Sequence, residues 1–194
     1  MPADHPSEIK AMSDIATPTS SARAADLDIR RAHSSEYPAI GDLTVAAYAA
    51  RYGALTADYT VRLRHPEARA DESDIWVATE PGSGRLVGTL SVRKDLIDGE
   101  LIFEVLASAA EHGKQGIGTA LLEHVFTLAR SRGVSNVGMY SGSTMTAAHA
   151  FYTKHGFERE HGRELEFLED GVPISVWKFT RAVPQQNGIT STTT

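Results

Sequence analysis

The chain has 194 residues, no cysteine and a formal net charge of −6. A length of this order fits one domain with tails better than two small domains. Without cysteine there are no disulfides, thiolate metal sites or cysteine nucleophile, and a reducing, cytoplasmic compartment is favoured. The acidic charge disfavours nonspecific nucleic-acid binding, and no apolar run is long enough to span a membrane, so we expect neither partner.

The two ends of the chain differ in composition from its middle. Residues 1–26 are rich in Ala, Ser, Thr, Pro and Asp, without the apolar core of a secretory signal, and predict a disordered leader. Residues 184–194 end in TSTTT and predict a disordered tail. We therefore expect one folded domain over residues 27–183.

Apolar spacing along residues 27–183 predicts an alternation of strands and helices. A strand at 27–32 is followed by helices at 36–52 and 57–63, strands at 74–79, 85–93 and 100–107, a helix from Gly116 to Gly133, a strand at 136–140, a helix at 144–155, extended segments at 157–160 and 163–167, an Asp170-Gly171 hairpin signal and a final strand at 174–181. This order predicts a mixed α/β fold around a single sheet.

The segment GKQGIG, from Gly113 to Gly118, is a glycine-rich turn between a predicted apolar strand and an amphipathic helix. The first turn of a helix has unpaired N–H donors and a partial positive charge, and glycines allow a phosphate to approach them closely. Because three glycines exceed what a simple chain reversal needs, this pattern predicts a phosphate-bearing ligand.

Two common phosphate motifs do not fit this turn. A P-loop requires Lys and Ser or Thr where Thr119 and Ala120 stand, so no lysine would reach the outer phosphates. The dinucleotide fingerprint requires a third glycine where Leu121 stands. A nucleotide-dependent enzyme is therefore a weak alternative.

Gly116-Ile117-Gly118 resembles the second half of the Q/R-x-x-G-x-G/A motif of the GNAT superfamily of N-acyltransferases, and AHAFYTKHGF, residues 148–157, resembles that family's A-x-x-x-Y-x-x-x-G-F segment. The resemblance implies a mostly antiparallel mixed sheet flanked by helices, acetyl-CoA as co-substrate, direct acetyl transfer to an amine acceptor and a possible homodimer. Two positions depart from the family pattern: Gly113 replaces the usual Gln or Arg, and Met145 replaces a frequent Asn.

The same resemblance implies which residues contact the coenzyme. VLAS, residues 105–108, is similar to the strand end that pairs with pantetheine in that family, and the turn with its helix start would hold the pyrophosphate. The implied cofactor-binding residues are Leu106, Ala107, Ser108, Lys114, Gln115, Gly116, Ile117, Gly118 and Thr119.

Two further residues are predicted to be catalytic. In the resembling segment the Tyr152 hydroxyl would lie near the coenzyme A sulfur and would hydrogen-bond the developing thiolate. Glu104 is the lone charge in LIFEVLA, and it is either the base that takes the amine proton or a paired, non-catalytic glutamate. Tyr48, Tyr52, Tyr59 and Trp76 are candidate acceptor-cleft residues, but their pattern favours amphipathic core packing for most of them.

The histidines show no metal-ligand spacing, so we predict no metal site. The function predicted is acetyl transfer to an amine of unspecified identity. The alternative from a different class is a non-catalytic acyl-CoA-binding or regulatory module.

Overall fold

The computed structural model describes residues 27–112, 115–169 and 171–184. The predicted leader, the tail beyond residue 184, Gly113, Lys114 and Asp170 of the predicted hairpin turn lie outside these residues. Within them, the helices are all too short or too polar to cross a membrane.

The described residues form eight strands and four α-helices, joined in part by short 3-10 turns. In chain order they are β1 (Asp28–Arg31), α1 (Tyr37–Tyr52), α2 (Ala57–Arg64), β2 (Ser73–Thr79), β3 (Leu86–Arg93), β4 (Leu101–Ser108), α3 (Ile117–Ser131), β5 (Asn136–Gly142), α4 (Thr146–Lys154), β6 (Glu158–Arg159), β7 (Leu165–Glu169) and β8 (Val172–Ala182). The predicted mixed α/β fold with a single sheet is confirmed, and both segments predicted as extended form strands.

All the strands belong to one mostly antiparallel sheet. Its order is β1-β2-β3-β4-β5-β8-β6, and β7 pairs with the first half of β8 in line with β6. The continuously apolar sequence of β4 predicts a central position, and β4 does lie between β3 and β5. The β4–β5 pair is parallel, and α3 makes the crossover between the two strands.

The helices cover the two faces of this sheet in pairs. Side chains alternate along a strand, so Trp76 and Ala78 of β2 join the larger core with α3 and α4, whereas Ile75 and Val77 pack with Ile40 of α1. We call these the α3 face and the α1 face. The Phe126 and Leu122 side chains of α3 are fully buried in the larger core.

Strands β4 and β5 separate soon after they begin. Within the described residues they pair at Leu101 with Val137 and at Ile102 with Gly138, and at no later position. The two strands therefore form a V, closed at Leu101 and open towards Ser108. This gap in the middle of the sheet is referred to below as the cleft.

A buried ion cluster lies at the closed end of the V. Lys178 of β8 is 3 % exposed, and its Nζ is 2.8 Å from Glu100 Oε2 and 2.9 Å from Glu160 Oε2. Glu100 also accepts a 2.8 Å hydrogen bond from Thr180 Oγ1, so its side chain reaches across β5 to β8. A Cβ at Gly138 would lie 2.8 Å from Glu100 Oε2, so glycine is needed where this side chain crosses.

The charge state of Lys178 agrees with this arrangement. Burial by itself would lower the pKa of the Lys178 amine, but the hydrogen bonds to Glu100 and Glu160 outweigh it and raise the pKa above its usual value. The amine is therefore charged at neutral pH, and the cluster holds the start of β4, β5 and β8 together.

We predict that Lys178→Met destabilises the protein by about 3 kcal/mol, because it leaves the buried Glu100 carboxylate without its cation. Lys154→Met, at an exposed position on α4, is the matched control and should change stability by less than about 0.5 kcal/mol. Urea denaturation of both variants at pH 7 measures the difference. Equal losses would show that the cluster is not structurally important.

Candidate active site

The backbone of β4 provides unpaired polar groups along one side of the cleft. The Ala109 N–H donates to Val87 O of β3, at 2.9 Å. Since successive residues of an antiparallel strand direct their N–H and C=O groups alternately to either side, those of Leu106 and Ser108 point away from β3 and into the cleft. Strand β5 does not pair with them, so they are available to an extended ligand that enters the cleft.

A β-bulge at Val105 sets which side chains face which layer. Thr89 pairs with Ala107 but Ser91 pairs with Glu104, so Val105 and Leu106 together oppose Leu90. Val105 has a φ of +49°, a strained conformation for a β-branched residue that costs roughly 1–3 kcal/mol. The extra residue puts Glu104 on the α1 face and Leu106 on the α3 face, beside Gly118.

Helix α3 begins at the open end of the V. Gly116 is its N-cap with a φ of +84°, a left-handed conformation that favours glycine. The N–H groups of Ile117, Gly118 and Thr119 have no acceptor among the described residues, as expected for the first turn of a helix. A Cβ at Gly88 would lie 2.7 Å from Ile117 Cγ2, so glycine on β3 allows this turn to pack directly on the sheet.

Tyr152 of α4 closes the α3 face of the cleft. It is 6 % exposed, and its ring contacts those of Phe103 and Phe157 edge-on, with centroids 5.7 and 5.8 Å apart. Burial raises the pKa of the Tyr152 hydroxyl well above its usual value, and the nearby Tyr52 and Tyr59 raise it further. The hydroxyl therefore keeps its proton and can donate a hydrogen bond at any physiological pH.

Three more tyrosines approach Tyr152 from the α1 face. The Tyr48 ring lies edge-on to Tyr52 and Tyr59, with ring centroids 5.7 and 5.9 Å apart. Burial raises the pKa of Tyr59 to about 12. Tyr152 can interact with residues of the opposite face because the sheet is open between them. We call Tyr48, Tyr52, Tyr59 and Tyr152 the tyrosine cluster.

Glu104 lies on the α1 face between two arginines. Its Oε1 is 4.0 Å from Arg93 Nη1, and its side chain is 37 % exposed. Burial lowers the pKa of Arg69, and the Glu104 carboxylate opposes that shift electrostatically. Arg69 Nε donates to Ser91 Oγ at 2.9 Å, opposite Glu104 on β3. Glu104 accepts no hydrogen bond from the described residues.

The predicted site residues are thus distributed around one cleft. Leu106, Ala107 and Ser108 form one edge, the Gln115–Thr119 segment lies at the open end, and Tyr152 and Glu104 lie on opposite faces. Thr119 Oγ1 is 3.1 Å from His155 Nε2, so its side chain contacts α4 and leaves its N–H as the group available to a ligand. Lys114 lies outside the described residues.

Trp76 and Met145, both singled out in the sequence, lie against α3 and at the N-terminus of α4. Trp76 does not line the acceptor side: its ring lies 4.2 Å from His124 of α3, on the opposite face from Tyr48, which agrees with core packing and not with a place in the acceptor cleft. Met145 is the N-cap residue of α4 and makes no side-chain cap hydrogen bond. Its side chain packs against the backbone of Gly142.

The described residues contain no group of three or more His, Asp or Glu arranged to hold a metal ion.

The sequence predicts no role for Arg69, Arg93 or Ser91. Arg69 ends a short 3-10 turn that begins at Pro66. The feature that distinguishes it is the burial of its charged side chain. That feature depends on the tertiary fold and is not visible in the sequence.

Comparison with known families and folds agrees with this geometry. Residues 71–159 match the family model for the acetyltransferase (GNAT) domain. This range contains the bulged strand, the α3 N-terminus and Tyr152. No curated protein sequence matches the chain.

Several solved structures share the fold. A GNAT-family acetyltransferase from Staphylococcus aureus Mu50 superposes with a TM-score of 0.64 at 15% identity, over 81% of this chain and 99% of that one. The ribosomal-protein-S18-alanine N-acetyltransferase from Escherichia coli gives 0.60 at 16% identity, over 84% and 97%. The spermidine N-acetyltransferase from Vibrio cholerae, in complex with CoA and spermine, gives 0.59 at 16%, over 82% and 96%.

The open sheet and the family match together define an acetyltransferase fold. Residues 71–159 thus match the GNAT acetyltransferase domain, and the fold is the one that solved GNAT-family acetyltransferases share.

Proposed function

We propose that this protein transfers the acetyl group of acetyl-CoA directly to an amine. The observation that carries the proposal is the cleft between β4 and β5, which brings unpaired backbone groups, a helix N-terminus and the Tyr152 hydroxyl around one extended space. Two of the proteins named above act on amines, in a ribosomal protein and in spermidine. From this similarity we propose that the acceptor of this chain is also an amine.

The residues present fit coenzyme A. The pantetheine arm carries amide groups, and the backbone of Leu106 and Ser108 offers the strand-like pairing that such groups need. The pyrophosphate would rest on the N–H groups of Ile117, Gly118 and Thr119, where the helix dipole favours negative charge. Without a glutamine or arginine at Gly113, this contact depends mainly on the backbone from Gln115 to Thr119.

The reaction proposed is a single displacement. The amine nitrogen attacks the thioester carbonyl, a C–N bond forms, the C–S bond breaks and the amine proton leaves. The Leu106 N–H, which points into the cleft, would stabilise the negative charge on the carbonyl oxygen. No acyl-enzyme intermediate is proposed, because the sequence has no cysteine and no serine in a nucleophile motif.

Tyr152 would stabilise the leaving thiolate by hydrogen bonding. A thiol has a reference pKa of about 8.5 and tyrosine one of about 10. Since burial raises the pKa of Tyr152 further, full proton transfer to the thiolate is uphill, and donation of a hydrogen bond is the role its environment favours.

Glu104 would accept the amine proton, directly or through water. An alkylamine with a reference pKa of about 10.4 is mostly protonated at neutral pH and must lose a proton before it attacks. Glu104 faces the side of the tyrosine cluster from which the amine would approach, and Arg69 and Ser91 restrict where its carboxylate can lie.

Binding of the proposed co-substrate should stabilise the protein. Acetyl-CoA at about a hundred times its dissociation constant should add roughly 2.7 kcal/mol to the stability, and ATP or NAD should add nothing. Differential scanning fluorimetry with the three ligands measures this. A shift with ATP but none with acetyl-CoA would refute the proposed function.

The proposed role of the Tyr152 hydroxyl can be tested by removing it. Tyr152→Phe should lower kcat about a hundredfold, because one hydrogen bond to the developing thiolate is lost, while the Kd for acetyl-CoA stays nearly constant. Release of free thiol measures kcat, and calorimetry measures Kd. The control is Tyr37→Phe, which removes a tyrosine hydroxyl outside the tyrosine cluster. An unchanged kcat in Tyr152→Phe would remove this residue from the mechanism.

The pH dependence of a Glu104 variant separates a role as general base from a structural role. Glu104→Gln should lower kcat/KM about a hundredfold at pH 7, and the deficit should shrink as the pH approaches the pKa of the amine, about 10.4, because the free amine then needs no base. Glu72→Gln, which removes the carboxylate 2.6 Å from Arg93 Nη1, is the control. A deficit that is constant from pH 7 to pH 10 would indicate a structural role for Glu104.

If acetyl-CoA binds and no amine releases thiol in the wild-type protein, the non-catalytic acyl-CoA-binding module replaces the enzyme as the better description.

A further inference from the structure

Exposed apolar side chains are concentrated on the β7–β8 hairpin. Of the six large apolar residues that are exposed in the described part of the chain, four lie on this hairpin: Leu165, Phe167, Leu168 and Val172. Isolated exposed apolar residues need no explanation, but a group of them on one element marks a contact surface.

Three of these four residues lie on the same face of the sheet as Tyr48, Tyr52 and Tyr59. Leu165 pairs with Val176, Phe167 with Ile174 and Glu169 with Val172, and residues directly opposite each other project from the same face of a sheet. The carboxylate of Glu169 contacts α2, which fixes this as the α1 face. Leu168 pairs with Pro173 and projects from the other face. We call Leu165, Phe167, Val172, Ile174 and Val176 the hairpin face.

The hairpin is held against α2 by an ion pair whose carboxylate is buried and whose guanidinium is exposed. Glu169 is 8 % exposed, and its Oε1 is 2.9 Å from Arg62 Nη2 of α2. Its Oε2 accepts a 3.0 Å hydrogen bond from Thr56 Oγ1, the N-cap of α2. Thr56 Oγ1 also accepts a 3.2 Å hydrogen bond from the Tyr59 N–H, so Glu169 lies beside the first turn of α2, which carries Tyr59.

The charges on this side of the molecule match an acceptor with one amine. The Glu169 carboxylate is already paired with Arg62, whereas Glu104 accepts no hydrogen bond among the described residues. The Glu104 carboxylate lies 4.0 Å from Arg93 Nη1, a looser contact than the 2.9 Å pair of Glu169 with Arg62, so Glu104 is the carboxylate that suits a single ammonium group. The adjoining hairpin face offers apolar contact and no second carboxylate for a second ammonium group.

We infer that the acceptor carries its amine on an apolar body, which lies on Leu165, Phe167 and Val172 while the amine points towards Glu104. This inference rests on the proposed acetyl transfer. A small molecule fits the surface better than a second copy of the chain, because three partly exposed side chains offer far less than the roughly 800 Å² per partner that a stable protein interface buries.

The test compares primary amines with similar amine groups and different bodies. We expect kcat/KM for 2-phenylethylamine and n-hexylamine to exceed that for ethanolamine and putrescine by about tenfold or more, the discrimination that an apolar contact of this size provides. Equal use of all four amines, or a preference for the polar pair, would overturn the inference and leave acetyl transfer intact. Binding of acetyl-CoA without turnover of any amine would instead refute the proposed function, and the inference with it.

Substitutions on the two faces of β7 identify the contact. Phe167→Ser should raise KM for 2-phenylethylamine about tenfold without changing KM for acetyl-CoA, and Phe167→Leu should restore most of the loss. Leu168→Ser, one residue away on the opposite face, should leave both constants unchanged. Equal effects of Phe167→Ser and Leu168→Ser, or a wild-type dimer that Phe167→Ser dissociates in analytical ultracentrifugation, would overturn the assignment.

Discussion

The separation of β4 from β5 after two residue pairs is the constraint on which the rest of the structure depends. A fully paired sheet would satisfy the backbone of Leu106 and Ser108 internally and would isolate the tyrosines of the α1 face from Tyr152. The open V leaves those groups unsatisfied by protein, which is costly unless water or a ligand occupies the gap. The buried cluster of Lys178, Glu100 and Glu160 stabilises the closed end, so the opening has a defined starting point.

The bulge at Val105 gives the two sides of the cleft different chemistry. One inserted residue places Glu104 with the tyrosines and arginines of the α1 face and places Leu106 with the apolar α3 face. A strained φ at a valine persists only where the surrounding structure enforces it, and here β3 pairing on both sides of the bulge does so. The carboxylate proposed to accept a proton is thereby kept on the opposite face from the α3 N-terminus, where the phosphates are proposed to bind.

The sequence predicts the elements well because each depends on local spacing and turn residues. The helices that begin near Gly116 and Tyr37, and the central position of β4, are examples. It does not reveal the bulge, because a register shift depends on the partner strand, nor the approach of Tyr48 to Tyr152, because that contact passes through a gap in the sheet. The sequence leaves the face of Trp76 open for a related reason: β2 is apolar on both faces, so its pattern does not distinguish one face from the other.

Burial of the tyrosine cluster limits the mechanisms that the site can use. A tyrosine that served as a full proton donor to a thiolate would need a lowered pKa, yet the apolar rings of Phe103 and Phe157 around Tyr152 act in the opposite direction. The same surroundings exclude water and so strengthen a hydrogen bond from the neutral hydroxyl to a developing negative charge. In the proposed mechanism, a permanently protonated Tyr152 therefore acts by electrostatic stabilisation rather than acid catalysis, and proton transfer is left to the amine, water and Glu104.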